Sequence, residues 1–297
     1  MVRTGYQFGI DFDAIDAIDI HTHVEVDAEG RCAYDDELAQ ATDRYFNLGP
    51  DRIRRVDDLA EHYRRHNTAA VVFTVDAETA SGHRSNSVEG LIEGAARNND
   101  VLIPFGSVDP WRADAVRRVR ELTDDYGARG FKFHPSLQIF EPNDRRFYPI
   151  YEAIAAAGVP ALFHTGQTGL GSGLPGGHGI KLRYSDPMLL DDVAADFPEL
   201  TIVMAHPAVP WVDSQIAIAS HKANCYIDLS GWSPKYFPPQ LVRAIGRQLR
   251  TKVLFGTDHP YIELERWRRD FDTLDIDPET LPLILKGNAL RVLGITD

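Results

Sequence analysis

Cysteine is nearly absent from this chain: Cys32 and Cys225 are the two in 297 residues, far apart and without a CxxC spacing. That excludes a disulfide framework and a cysteine-rich zinc site, and makes a reducing, cytoplasmic setting the expectation. Positive charge is also short, with 31 Lys and Arg against 44 Asp and Glu and a formal net charge of -13. Neither nucleic acid nor an anionic membrane is an expected partner, because both need clustered basic residues to neutralise phosphates. Long apolar runs are missing too. No stretch approaches the about 18 residues of a membrane span, and the N-terminus, MVRTGYQFGIDFDAIDAIDIHTH, is acidic where a signal peptide needs an apolar run. A soluble, unprocessed protein is expected.

What is present is an ordinary globular composition, 43% hydrophobic and 25% charged, over a length that suits one domain spanning 1–297. Short apolar runs ending in Gly, Pro, Asp or His recur and read as buried parallel strands at 17–24, 69–76, 101–109, 130–135, 159–166, 200–208, 225–231 and 252–260. Segments with apolar residues three to four apart lie between them, at 53–66, 87–99, 111–126, 147–158 and 187–197, and read as helices. This alternation predicts an α/β fold, a (β/α)₈ TIM barrel in one domain. An open doubly wound sheet is disfavoured, because its dinucleotide turn, GxGxxG, does not follow the first strand, which ends in HTH.

Two connections exceed a typical strand-to-helix loop: residues 25–50 after the first strand and the glycine-rich 166–185 after the fifth. In a barrel such insertions lie at the catalytic mouth, so both are expected to face substrate. The glycine-rich run lacks the GK[ST] ending of a phosphate loop.

Period-two alternation in the first strand puts Asp19, His21 and His23 on one face, directed into the barrel. An HxH pair alone is as readily two buried, hydrogen-bonded histidines. The other strands add His164 in FHTG, His206 in AHP and Asp258 in GTDHP, all at the carboxyl ends of predicted strands. Each such polar group, once stripped of water, costs ~1–3 kcal/mol unless partnered, and a divalent ion partners several at once. Imidazole and carboxylate suit Zn2+, with Mn2+ or Fe2+ as alternatives, and an open coordination position marks a catalytic ion.

The motifs IDIHTH, FHTG, MAHP and FGTDHP, in this order, resemble those of the amidohydrolase superfamily. Within it they are most similar to the amidohydrolase-related group that includes aminocarboxymuconate-semialdehyde decarboxylase and γ-resorcylate decarboxylase. The resemblance runs from residue 17 to a closing helix in 283–295. It implies that His21, His23, His164 and Asp258 are metal ligands, that His206 is a catalytic histidine beside the ion, and that Asp258 doubles as proton carrier. Asp19 is either an acceptor orienting a ligating imidazole or a structural hydrogen-bond partner. In GFKFHP, Lys132 and His134 share a face opposite Phe131 and Phe133. Binuclear members carry a bridging carboxylated lysine on this strand, whereas the decarboxylase-like members are mononuclear, so Lys132 either bridges ions or pairs with a carboxylate. His134, nearer the mouth, is a substrate contact.

Trp232, Tyr236 and Tyr261 offer flat walls to a substrate, and Lys181, Arg183, Lys235, Arg145 and Arg146 offer anion partners. A small aromatic or unsaturated acid, or an acyl compound, is the expected substrate. Hydrolysis by metal-activated water is the first reading of the reaction. The stretches FHPSLQIFEPNDRRFYP and SGWSPKYFPPQLV resemble hydrolases of aryl β-ketoacyl thioesters, where attack on the ketone splits a carbon–carbon bond. Non-oxidative decarboxylation is the alternative, and a non-catalytic barrel would leave His206 unexplained. A homodimer is the expected assembly.

Overall fold

The computed structural model describes residues 5–49 and 52–295. Eight short strands appear in chain order among the described residues: β1 Ala17–His23, β2 Thr68–Phe73, β3 Leu102–Pro104, β4 Phe131–Phe133, β5 Ala161–His164, β6 Ile202–Ala205, β7 Cys225–Asp228 and β8 Val253–Leu254. Each falls inside a predicted run except β2, which begins one residue before its run. Every strand residue is buried, which is why the runs read as continuous apolar stretches rather than as alternating ones.

Neighbouring strands pair in parallel as β1-β2-β3 and β4-β5-β6-β7-β8, and two backbone seams join these sheets into a closed barrel. At one seam the Gly106 N–H donates to the Gly130 carbonyl and the Lys132 N–H to the Gly106 carbonyl, both at 2.8 Å. At the other, Ile20 N–H reaches the Phe255 carbonyl at 3.0 Å, while Asp258 N–H reaches His21 and His23 N–H reaches His259 at 2.9 Å. Closure leaves no sheet edge exposed. A helix returns after each strand: Val56–Arg65, Val88–Arg97, Ala115–Asp124, Tyr148–Ala156, Met188–Asp196, Val212–His221, Pro239–Ile245 and Leu264–Phe271.

Two apolar layers follow from this closure. Ile18, Val71, Ile103, Leu162, Val203 and Leu254 fill the barrel, while Val72, Leu102, Phe133, Phe163, Met204 and Ile227 pack outward in the core that includes the helices. Ala289 and Val292 of the closing helix Asn288–Val292 plug the floor, where the Asn288 side-chain amide donates to the Val253 carbonyl at 2.7 Å.

Strand β1 departs from simple alternation. Asp19 pairs with Ala70 and Thr22 with Val72, so Ile20 and His21 together oppose Val71, as in a β-bulge. The extra residue reverses the parity of everything after it. Asp19 therefore lies in the outer layer beside Ala70, whereas His21 and His23 turn inward, and the expectation that all three share a face is corrected.

Candidate metal centre and active site

At the carboxyl end of the barrel His21 Nε2, His23 Nε2 and Asp258 Oδ1 form a triangle with sides of 3.0 to 3.2 Å. His21 Nδ1 lies 2.6 Å from Asp228 Oδ2, and both side chains are fully buried. With its Nδ1 proton given to that carboxylate, His21 presents a lone pair at Nε2 to the other two corners. Three atoms able to ligate thus converge on one point. His164 lines the same cavity and its Nε2 is buried without a hydrogen-bond partner, as is Asp258 Oδ1, but His164 is not among the residues whose ligand atoms gather within 4.8 Å of one another there. The set that does gather, two imidazoles and a carboxylate, has the donor chemistry of a divalent-cation site.

The surroundings hold His23, His164 and Asp258 in the protonation states that metal binding needs. Burial pushes His23 and His206 down to about 4 and holds His134 and His164 well below the usual histidine range. Burial also opposes ionisation of Asp258, yet the neighbouring His206, His21 and His23 hold its carboxyl well below the usual range. His21 is raised: burial and Lys132 pull it down, but the Asp228 and Asp258 carboxylates outweigh them.

His206 stands apart from the triangle. Ser230 Oγ donates to Asp228 Oδ2 at 2.8 Å, so the same oxygen accepts from His206 Nδ1 at 2.9 Å. This leaves His206 Nε2 unprotonated on a ring that lines the cavity. The backbone here is strained, with φ of 72° at His206 and 65° at Asp258, a conformation that costs ~1–3 kcal/mol and persists where surroundings over-determine it. At His206 the Gln215 amide clamps the carbonyl at 2.7 Å. Gly231, itself at φ 74°, lies under the ring, where a Cβ would come within 2.4 Å of His206 Nδ1.

Lys132 points inward as expected. Its Nζ contacts His21 Nε2 at 3.1 Å and lies 4.9 Å from the Phe73 ring centroid; it is not hydrogen-bonded to a carboxylate. Burial pushes the ammonium down to about 7 against the pull of Asp258 and Asp228. His134 stacks on His164 with centroids 3.9 Å apart. Its Nδ1 accepts from the Leu137 N–H and its Nε2 faces Thr168 Oγ1, so the ring lines the cavity with both nitrogens engaged.

Asp19 is not an orienting acceptor for an imidazole. From its outer position it accepts from Thr257 Oγ1 at 2.6 Å, Tyr63 OH at 2.7 Å and the backbone N–H groups of His21 and Thr257 at 3.0 Å. It ties β1 to the turn after β8. The residue that orients an imidazole is Asp228, which sequence reasoning missed; its one signal was an inward-facing acid in the middle of CYIDLSG, two residues before Ser230.

The cavity above the triangle has a volume of about 130 Å³ and is walled by Tyr34, Tyr45, Phe46, Trp232 and Tyr261. The segment after β1 supplies the first three, partly from a helix, Asp36–Phe46, that was expected to be loop. The glycine-rich segment supplies Gln167, Thr168, Gly169 and Leu170. Phe46 packs on Tyr261 with centroids 4.4 Å apart. Trp232 and Tyr261 are thus where the sequence placed them, but Tyr236 is 61% exposed and outside the lining. None of Lys181, Arg183, Lys235, Arg145 and Arg146 lines the cavity either. Local acids hold some of them at the surface, Arg183 on Glu141 at 2.8 Å and Arg146 on Asp144 at 2.5 Å, and Lys235 stays over the exposed Tyr236.

The geometry can be set beside known proteins. A family model described as Amidohydrolase matches residues 18–295. No curated protein sequence matches the chain. Among solved structures, an uncharacterized TIM-barrel protein from Bordetella bronchiseptica is 24% identical, with a TM-score of 0.75 over 94% of this chain and 98% of that one. A dihydroxybenzoic acid decarboxylase from Polaromonas sp. JS666, with bound manganese and the inhibitor 2-nitroresorcinol, is 16% identical, with a TM-score of 0.66 over 95% and 97%. A probable 2-pyrone-4,6-dicarboxylic acid hydrolase from Acinetobacter baumannii, with citric acid bound, is 16% identical, with a TM-score of 0.61 over 94% and 100%. At these identities the likeness is one of fold. Among the described residues no helix is long and apolar enough to cross a membrane.

Proposed function

The chain belongs to the amidohydrolase family, and on that footing we propose that it is a metal-dependent hydrolase delivering water to the carbonyl of an aromatic acyl substrate. His21, His23, His164 and Asp258 would hold the ion, zinc in this reading. Bound there, a divalent cation lowers the pKa of water and polarises a carbonyl oxygen. The chain's own residues supply the proton handling. The observation that carries the hydrolytic reading is the sequence of contacts from His206 Nδ1 to Ser230 Oγ to Asp228 Oδ2, which leaves His206 Nε2 as a free base on the cavity wall. His206 takes the proton of the attacking water at Nε2, and the Asp228 carboxylate, through Ser230, steadies the imidazolium that results. The proton then passes to the leaving group from the same nitrogen.

The substrate we propose is an aryl β-ketoacyl thioester, cleaved between the aryl ketone carbon and its neighbour. Tyr34, Trp232 and Tyr261 suit an aromatic ring, and among the described residues Lys132 is the only Lys or Arg in the lining, so the inner part of the substrate needs no anionic group of its own. The thioester arm would leave past the glycine-rich rim at Gln167 to Leu170.

One observation favours a second reading, non-oxidative decarboxylation of a phenolic acid: a cavity of about 130 Å³, capped by Phe46 on Tyr261, suits a compact ring. The Polaromonas neighbour carries out such a reaction by its name. In that case Asp258 would protonate the ring carbon that loses carbon dioxide. Incubating metal-loaded enzyme with paired panels of aryl β-ketoacyl thioesters and phenolic acids, with products identified by mass, separates the two. Aryl carboxylate from the thioesters supports hydrolysis; decarboxylated phenol alone refutes it.

A further inference from the structure

A second group of metal-ligating side chains lies outside the mouth. His62 from helix Val56–Arg65, His259 from the turn after β8 and Glu263 at the start of helix Leu264–Phe271 bring one ligand atom each to within 4.8 Å of one another. The two imidazole rings lie 5.4 Å apart, inclined by 34°. His62 is 8% and His259 2% exposed, and the Nε2 atom of each is buried without any hydrogen-bond partner. Leaving a buried acceptor unpaired forfeits ~1–3 kcal/mol, and here it happens twice at one spot. The Ile53 backbone is a hydrogen-bond partner of the His259 ring, and since Nε2 has no partner that nitrogen can offer a lone pair to an ion, as in metal-binding histidines. Glu263 is exposed and completes the group from the solvent side, giving an ion an open path in.

We propose that His62, His259 and Glu263 form a second divalent-cation site, of the two-histidine, one-carboxylate kind that zinc favours. It is separate from the mouth and does not rest on the hydrolytic reading. Its place in the fold gives it a structural consequence: the His259 carbonyl accepts from His23 N–H at 2.9 Å, and the His259 N–H donates to Thr257 Oγ1 at 3.0 Å. An ion held by His259 therefore braces the turn that carries Asp258 and registers it against β1.

The test is metal stoichiometry of the full-length protein equilibrated with buffered zinc and measured by elemental analysis. Wild type should bind one ion more per chain than either His62→Ala or Glu263→Gln. His21→Ala should lose the mouth ion and keep this one, so the two sites are read independently. Glu263 is exposed, and its neutral isostere preserves the fold even if the His62 variant does not; cobalt substitution then supplies a second readout, an absorption component lost in Glu263→Gln and retained in His21→Ala. Equal zinc content in wild type, Glu263→Gln and a folded His62→Ala would overturn the proposal, as would a cobalt spectrum that Glu263→Gln leaves unchanged.

Discussion

Asp228 Oδ2 stands 2.6 Å from His21 Nδ1, both fully buried, and the same oxygen receives Ser230 Oγ at 2.8 Å. One carboxylate thereby sets the orientation of a proposed metal ligand and, through Ser230, of the proposed base. Burial alone would raise Asp228, but His21, His206 and Ser230 hold it below its ordinary range.

Replacing Asp228 by Asn should weaken metal binding at the mouth by about 10- to 100-fold, the usual cost of losing the partner behind a ligating histidine, and should lower turnover as well. Competitive chelation measures the first and steady-state kinetics the second. Unchanged metal affinity would remove Asp228 from this role.

Gly256 tests the same residue without touching its charge. A Cβ there would lie 2.3 Å from Asp228 Oδ1 and 3.0 Å from Ser230 Cβ, too close for either to stay in place. Gly256→Ala should reproduce much of the Asp228→Asn loss while the protein still folds, checked by circular dichroism alongside activity. Wild-type kinetics in Gly256→Ala would show that the carboxylate position is not critical.

His21→Ala, His23→Ala and Asp258→Ala should each strip the mouth ion and abolish activity while the barrel survives, because its packing comes from other layers such as Ile18, Val71 and Leu162. His206→Ala should keep the ion and lose roughly 10²- to 10⁴-fold in turnover, the range for a positioned acid–base group. Elemental analysis of the purified variants separates the two behaviours.

A pH-dependent contact lies at the helix Leu264–Phe271. His66 Nε2 meets Glu265 Oε1 at 2.6 Å and its Nδ1 meets the His62 carbonyl at 2.8 Å. Both bonds have the ring as donor only when it is protonated. Burial pulls His66 down, but these two partners raise it overall. Its contribution to stability is therefore complete below the unfolded-state pKa of about 6.5 and is lost as pH rises through the higher folded value. For this largely exposed pair the effect is about 0.5 kcal/mol. Urea unfolding of wild type and Glu265→Gln should show a larger difference at mildly acidic than at alkaline pH, and a difference independent of pH would contradict the assignment.

Much of this arrangement was legible before the structure. Buried parallel strands need apolar residues on both faces, so the eight runs stood out, and His21, His23, His164, His206 and Asp258 lie at their ends as read. The bulge in β1 was not legible, because an extra residue leaves no mark in the pattern IDIHTH, and counting by two then placed Asp19 on the wrong face. Asp228 escaped notice for a related reason: a single acid at a strand end acquires meaning only when closure of the barrel brings it to His21. Helix Asp36–Phe46 did leave a signal, since Asp35 caps it by accepting from the Leu38 N–H at 2.9 Å and Leu38 and Ala41 share its buried side, but the length of the segment was read first as loop. The surface cations were misjudged because charge was counted without the acids close by in space, such as Glu141 beside Arg183.

The central claim is that the residues at the mouth direct water to a carbonyl, and oxygen-18 water tests it most directly. Metal-loaded enzyme acting on an aryl β-ketoacyl thioester should place one labelled oxygen in the aryl carboxylate product, and His206→Ala should suppress that incorporation. Release of carbon dioxide from a phenolic acid, with no labelled carboxylate from any thioester in the panel, would contradict the account and assign the site to decarboxylation.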